Sequence, residues 1–242
     1  MFNIKLTILR LVNSVLQIIG VQVYKKGIDM ESAIKQMSKN ATTIKTVIDI
    51  GASNGRWSKM VLNYLTNSRF IAIDPLKERE PCLKKLKQAR SNFDYILCVA
   101  GEKEYETVNL TIGKDLDGST VDGSSGMTRK VPSHSIDAIV KMKNLEGPFL
   151  IKFDTHGYEV PILRGAIATL KKTDYIIMEV YNYRHTSDTL LFYEMCDYLK
   201  ALDFRCFSMA DPMLRPLDNT LWQMDFFFAR TDNPIFKNEN YK

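Results

Sequence analysis

The chain lacks several features that would have decided its class at once. Its four cysteines, Cys82, Cys98, Cys196 and Cys206, form no Cys-x-x-Cys pair, which excludes a zinc knuckle. Cys98 and Cys206 sit in apolar, strand-like runs and read as small buried hydrophobes. That usage fits a reducing compartment, so the expected location is the cytoplasm. There is no internal repeat and no low-complexity tract. With 242 residues, the chain suits one α/β domain with additions, or at most two small domains. A strong charge of one sign is also missing: 33 Lys and Arg against 28 Asp and Glu give a formal net charge of +5. The one basic cluster, Lys84, Lys85, Lys87 and Arg90, falls on an expected helix and reads as a solvated face. A nucleic acid partner is therefore not expected.

No long apolar run is free of charge. The most apolar stretch, Ile4 to Val23, is interrupted by Lys5, Arg10, Asn13 and Gln17, and no small-residue cleavage site follows it. A signal peptide and a spanning helix are both disfavoured. Ile8, Leu11, Val12, Val15, Leu16, Ile18 and Ile19 recur at helical spacing. Two readings stay open. One is a helix packed on the domain, giving an N-terminal helical extension over 1–40 and a main domain over 41–242. The other is an interfacial helix over 4–23 that makes peripheral contact with the inner face of a membrane.

What is present is a chain that is 45% hydrophobic with a clear alternation of elements. Helix is expected over Asp29 to Lys39, Arg56 to Leu65, Glu78 to Arg90, Ser135 to Met142, Tyr158 to Lys171 and Ser187 to Leu202. Strand is expected over Thr46 to Ile50, Arg69 to Asp74, Phe93 to Val99, Phe149 to Asp154 and Asp174 to Tyr181, with an added strand over Tyr105 to Ile112. Phe204 to Met209 and Gln223 to Arg230 have no helix between them, which favours an antiparallel pairing at one edge. The fold class read from this is α/β: a Rossmann-like, mostly parallel seven-stranded sheet with an antiparallel edge strand and helices on both faces. Gly113 to Gly126 is polar and glycine-rich and reads as a long functional loop, without the ligand spacing of an EF-hand.

The chemistry is concentrated at strand ends. Asp49-x-Gly51-x-x-x-Gly55 follows a buried strand and opens a helix, so its glycines admit a ligand to the backbone. A dinucleotide site would use Gly-x-Gly-x-x-Gly without a neighbouring anion. Asp49 instead favours a ligand with a cationic end, as in the ammonium and sulfonium of S-adenosylmethionine. Asp74 ends the second strand, where a carboxylate can accept from both ribose hydroxyls. That reason serves NAD equally. No Gly-x-x-x-x-Gly-Lys-Ser/Thr loop and no Tyr-x-x-x-Lys pair occurs, which weakens the nucleotide-hydrolase and short-chain dehydrogenase alternatives. The expected cofactor set is Asp49, Gly51, Ser53, Asn54, Gly55, Asp74, Ala100 and Asp154.

A second group follows the fourth strand: Asp154-Thr155-His156-Gly157-Tyr158-Glu159. Alternation places Asp154 and His156 on one side, where an Asp can orient a His and raise its basicity. His156 is the first candidate for a general base and Asp154 the second. A turn histidine with a local hydrogen bond is the plainer alternative. Asp-x-His with a nearby Glu also suits a divalent metal. Glu179 ends the apolar run Tyr175 to Met178 and needs a partner if buried; pairing with Arg184 and a substrate role are both open.

These turns together resemble the FkbM family of methyltransferases. The resemblance rests on Asp49–Gly55, Asp74-Pro75, Asp154–Glu159 and Glu179-Val180, supported by Leu163-Arg164-Gly165-Ala166 and by Ser133 to Ile139. It implies S-adenosylmethionine-dependent O-methylation of a hydroxyl on a sugar, glycan or related small molecule, with a lipid-linked acceptor as one form. The sequence departs from the family at His156, where the family carries Glu, and uses the less usual Ser53 in the cofactor turn. Two rivals remain: a nicotinamide-dependent sugar oxidoreductase, and a non-catalytic cofactor-binding protein associated with a membrane.

Overall fold

A computed structural model describes residues 28–241, apart from 42, 105, 114, 115, 117, 122–125, 187 and 188. The run Ile4 to Val23 and its membrane reading lie outside the described residues. Helix α1 (Met30–Ser38) starts where the Asp29 carboxylate accepts the Ser32 amide at 2.9 Å. Its buried side, Ala33, Ile34 and Met37, joins the same core as strands of the sheet. The described part of the 1–40 segment is thus packed into the domain.

The first half continues through β1 (Thr46–Ile50), α2 (Arg56–Val61), β2 (Arg69–Ile73), α3 (Glu80–Ala89) and β3 (Phe93–Ile96). Then come β4 (Val99–Gly101), β5 (Glu106–Ile112), β6 (Thr120–Val121) and β7 (Met127–Ser135). The second half holds α4 (Ile136–Met142), β8 (Phe149–Phe153), α5 (Glu159–Arg164), α6 (Ile167–Leu170), β9 (Thr173–Tyr181), α7 (Phe192–Lys200), β10 (Phe204–Leu214) and β11 (Leu221–Arg230).

Seven strands form the main sheet in the order β10-β11-β9-β8-β1-β2-β3. β3, β2, β1, β8 and β9 run parallel, and β11 is antiparallel to both of its neighbours. β1 and β8 are buried along their whole length, as central parallel strands must be when helices cover both faces. One face packs on α4 to α7 through Ile136, Ile139, Leu163, Leu170, Met195 and Leu199. The other packs on α1 to α3 through Ile34, Met37, Val61 and Leu83. Sequence order reverses at β1, which pairs with β2 on one side and β8 on the other. Ligands in such sheets bind beyond the carboxyl ends of the strands at that reversal. Among the described residues, no helix is long and apolar enough to cross a membrane.

The expected α/β class and the seven-stranded sheet are present, with differences in local detail. The single strand over Phe93 to Val99 is two strands: β3 is an edge with no neighbour on its outer side, and Val99–Gly101 pairs instead with Ser133–Ser135. The added strand expected over Tyr105 to Ile112 is present as β5 (Glu106–Ile112), in a second, four-stranded sheet, β4-β7-β5-β6. The helix over Tyr158 to Lys171 breaks into α5 and α6, because the Asp137 carboxylate takes the Ala168 and Thr169 amides at 2.9 and 2.8 Å and starts a new helix there. The expected antiparallel pairing at one edge is present, with β10 outermost and β11 between it and β9.

Candidate active site

The turn after β1 is fixed by close backbone approach. Gly51 has φ +74°, and a Cβ there would fall 1.8 Å from the Asp154 carbonyl oxygen. Only glycine lets the turn after β1 nest against the end of β8. Asp74 then ties the turn to β2. One carboxylate oxygen accepts the Ser53 amide at 2.7 Å and the other accepts the Leu76 amide at 2.9 Å. Burial pushes its pKa up to about 6, although both amides pull it down.

These turns border a cavity of about 460 Å³. Gly51, Ser53, Asn54, Asp74, Ala100, Asp154 and His156 all face it. Asp49, Gly55 and Glu179 are not part of its wall. Asp49 is fully buried beneath the turn, where its carboxylate accepts from Ser58 Oγ at 2.6 Å. Glu179 lies behind His156. On the remaining side the second sheet forms a roof through Leu110, Leu116, Ser119 and Val121. A bidentate Arg129–Glu78 pair, at 2.5 and 3.1 Å, clasps that roof to the turn after Asp74. It holds the Glu78 carboxyl down at about 2.

Several residues at the site had no assigned role from sequence. Lys152 sits inside β8 with its side chain 5% exposed, and its ammonium lies 2.6 Å from Asp154 Oδ2 and 3.9 Å from Asp49 Oδ1. It also lies 5.6 Å from the centre of the Trp57 ring. Burial works against its charge, but the surrounding carboxylates win and raise its pKa. Asp154 is also desolvated, yet Lys152 holds it below the ordinary carboxylate range. A lysine within a wholly apolar strand is a signal that the sequence did carry, because a buried charge requires a partner. Among the described residues, two buried polar atoms at this end lack a hydrogen-bond partner: Asp49 Oδ1 and Trp57 Nε1. Trp57 lines the cavity.

The turn after β8 is built for His156. His156 has φ +51° and Gly157 φ +98°, and a Cβ on Gly157 would meet Thr189 Oγ1 at 2.4 Å. Buried Glu159 braces the turn by accepting the Gly157 amide at 2.9 Å and Thr155 Oγ1 at 3.0 Å. His156 Nδ1 lies 3.1 Å from the Tyr181 hydroxyl and 3.4 Å from Glu179 Oε2. Tyr181 donates to Glu179 Oε2, and the Gln223 amide donates to Glu179 Oε1. Glu179 is thus partnered by Tyr181, Gln223 and His156, while Arg184 goes instead to Glu194 and the Thr189 carbonyl. Asp154, His156 and Glu179 bring three ligand atoms within 4.8 Å of one another.

The methyltransferase FkbM domain model matches residues 49–206, more than half of the chain and the whole span from Asp49 through the β9 strand. The chain belongs to the FkbM methyltransferase family. As an FkbM enzyme it is an S-adenosylmethionine-dependent methyltransferase. Among proteins of curated function, none matches this chain. Solved structures resemble it only distantly. A Burkholderia thailandensis 1,6-didemethyltoxoflavin-N1-methyltransferase, bound to 1,6-didemethyltoxoflavin and S-adenosylhomocysteine, is 15% identical with TM-score 0.48, over 92% of this chain and 86% of that one. An rRNA methylase from Streptococcus thermophilus is 11% identical with TM-score 0.49, over 86% of this chain and 98% of that one.

The FkbM cavity fits this cofactor by its own chemistry. Asp74 lines the cavity, and each of its oxygens keeps a lone pair after holding a backbone amide, which suits the two hydroxyls of a ribose. The buried Trp57 N–H needs an acceptor, which a carboxylate end supplies.

Proposed function

We propose that this FkbM enzyme transfers a methyl group to a hydroxyl of a sugar, glycan or related small molecule, with His156 as the general base. The observation that carries the reading is the 3.1 Å approach of His156 Nδ1 to Tyr181 on a cavity that Asp74 and Asp154 also line. In this reading Asp74 holds the ribose, Gly51, Ser53, Asn54 and Gly55 form the turn around the amino acid end, and Ala100 lies against the base. Asp49, under the turn, contributes its negative field. Bound there, S-adenosylmethionine supplies an electrophilic methyl on a sulfonium. The protein's task is to align the acceptor oxygen, exclude water and remove its proton. His156 takes that proton through its ring nitrogen, Glu179 orients the ring, and Lys152 keeps Asp154 ionised beside it.

An aromatic cluster beside Tyr181, the partner of His156, supports a ring-shaped acceptor. Tyr183 stacks on Trp222 at 5.2 Å, and His185 packs edge-on to both Trp222 and Tyr181. Met213, Leu214 and Leu217 are exposed on the β10–β11 hairpin, whose Thr220 bonds Tyr183, and this apolar surface supports a lipid-linked form of the acceptor at a membrane face. A second reading has one observation in its favour. The three ligand atoms of Asp154, His156 and Glu179 suit a divalent cation that would activate the hydroxyl in place of a base.

The test is transfer of label from S-adenosyl-[methyl-³H]methionine to a cell-surface glycan extract, with and without chelator. Label in a methyl ether that survives chelation, and falls at least 100-fold in His156→Ala, supports the base. Loss on chelation with rescue by Mn²⁺ moves the assignment to the metal. Near wild-type turnover in His156→Ala, with no chelator effect, overturns both.

A further inference from the structure

Apolar side chains held outward on a well-bonded turn mark a surface that meets a partner. The tip of the β10–β11 hairpin is bonded in this way. The Arg215 amide donates to the Thr220 carbonyl at 2.7 Å, and the Asn219 amide to the Arg215 carbonyl at 2.9 Å. The Asp218 carboxylate accepts the Thr220 amide and hydroxyl at 3.1 and 2.7 Å. Tyr183, stacked on Trp222, ties the tip to the chain after β9 through Thr220. This frame leaves Leu214 54% and Leu217 81% exposed, with Met213 half-exposed beside them.

The register places this surface at the same end of the sheet as the site. β11 pairs with β9 only from Gln223 onward, opposite Tyr181. Met213 to Trp222 therefore project past the carboxyl end of β9, where Glu179 and Tyr181 meet His156. Arg215 and Asp218 are the only charged residues from Met213 to Trp222, and they pair with each other. No unpaired charge in the tip opposes its transfer into an apolar layer.

The chain that enters beside the tip is basic. Asp211, at its foot, donates its amide to the Ile28 carbonyl at 2.8 Å, and its carboxylate accepts the Met30 amide at 3.3 Å. Residues 1–28 thus join the described structure at this hairpin. That stretch holds Lys5, Arg10, Lys25 and Lys26 among its apolar residues, and no Asp or Glu. Chain length alone keeps Lys25 and Lys26 within about 10 Å of Ile28. An apolar tip and an acid-free basic stretch that meet at one place fit a partner with an apolar interior and an anionic surface. We propose that Met213, Leu214 and Leu217 dock into an anionic lipid bilayer, with Lys25 and Lys26 against its headgroups, so that the cavity end of the sheet faces the membrane. This deepens the lipid-linked form of the acceptor and rests on that reading.

The test is flotation of the full chain with vesicles of phosphatidylcholine, alone or with about 30% phosphatidylglycerol. The wild type should float with the anionic vesicles and not with the neutral ones. Met213→Ser, Leu214→Ser and Leu217→Ser combined should weaken binding by at least about tenfold, with the urea midpoint unchanged. Leu217→Ser alone should act in the same direction if the triple variant fails to fold. Lys25→Gln with Lys26→Gln should weaken binding and flatten its dependence on salt. A wild type that floats with neither vesicle, or equally with both, overturns the proposal, as does a serine variant that floats like the wild type. A dimer that the serine variant breaks, without flotation, assigns the tip to a second copy; flotation only after removal of residues 4–23 assigns it to that segment. Either result overturns the proposal. Failure of the lipid-linked reading is seen separately, as methyl label in a water-soluble glycan and none in the lipid extract.

Discussion

Lys152 Nζ lies 2.6 Å from Asp154 Oδ2 at the reversal of the sheet, with the lysine side chain almost fully enclosed. Both residues belong to the end of β8, and the contact that crosses to β1 is that of Lys152 with Asp49 Oδ1 at 3.9 Å. Asp49, opposite Lys152 in the β1–β8 register, completes a buried set of one cation and two anions.

Lys152→Met should destabilise the fold by about 3–5 kcal/mol, because it leaves the enclosed carboxylate of Asp49 and the ionised Asp154 without their cation. The urea midpoint of the variant reads this directly. A loss below about 1 kcal/mol would show that the lysine is not the charge that compensates them.

Asp225 gives the pH dependence. It sits on β11 opposite Glu179, and burial, reinforced by Glu179 and Asp154 against the pull of Lys152, raises its pKa to about 7. An unfolded chain releases the same proton near pH ~4. Between those values the folded state binds the extra proton, so stability is present at low pH and is lost as pH rises toward 7. Asp225→Asn does not titrate. The stability of the variant relative to wild type should therefore climb between pH 4 and 7, at up to about 1.4 kcal/mol per pH unit, and level off above. Urea titrations of both proteins from pH 4.5 to 8 test it, and a flat difference would sink it.

Gly51→Ala should abolish cofactor binding. Its Cβ would lie 1.8 Å from the Asp154 carbonyl oxygen, so the turn must move away from β8. Calorimetry with S-adenosylmethionine should show affinity reduced by about 100-fold or more, the cost of losing two or more hydrogen bonds to the ligand. Wild-type affinity would mean that the turn does not hold the cofactor.

Trp57→Phe keeps an aromatic ring beside Lys152 and deletes the buried N–H, which has no hydrogen-bond partner among the described residues. If that donor serves the cofactor, the variant binds S-adenosylmethionine about five- to tenfold more weakly, near 1 kcal/mol for one hydrogen bond. Unchanged affinity would assign the indole to packing alone.

The sequence disclosed the main sheet because its central strands are continuous apolar runs, a pattern that Thr46–Ile50 and Phe149–Phe153 display without ambiguity. It disclosed the turns at Asp49 and Asp154 because chemistry there is local to a few consecutive residues. The second sheet was not legible. Met127–Ser135 mixes exposed and buried positions irregularly, and Thr120–Val121 is too short to carry a period. Tyr181 and Gln223 were missed for a different reason. The contact of Gln223 with Glu179 depends on which strand lies beside β9, and the antiparallel entry of β11 is a property of topology rather than of any local pattern. Asp49 was legible as an acid near the turn, but not as one enclosed beneath it, since only the β1–β8 register puts Lys152 opposite.

The roof of the cavity comes from a single excursion of the chain, which joins the second sheet at Val99 and leaves it at Ser135. No strand of the main sheet lies within that stretch. Insertions, deletions or wholesale replacement there leave the pairing of β1, β2, β8 and β9 untouched. The turns proposed to hold the methyl donor lie largely on the main sheet, while the cover facing them is a separate piece of chain whose length can vary without breaking the pairing beneath it.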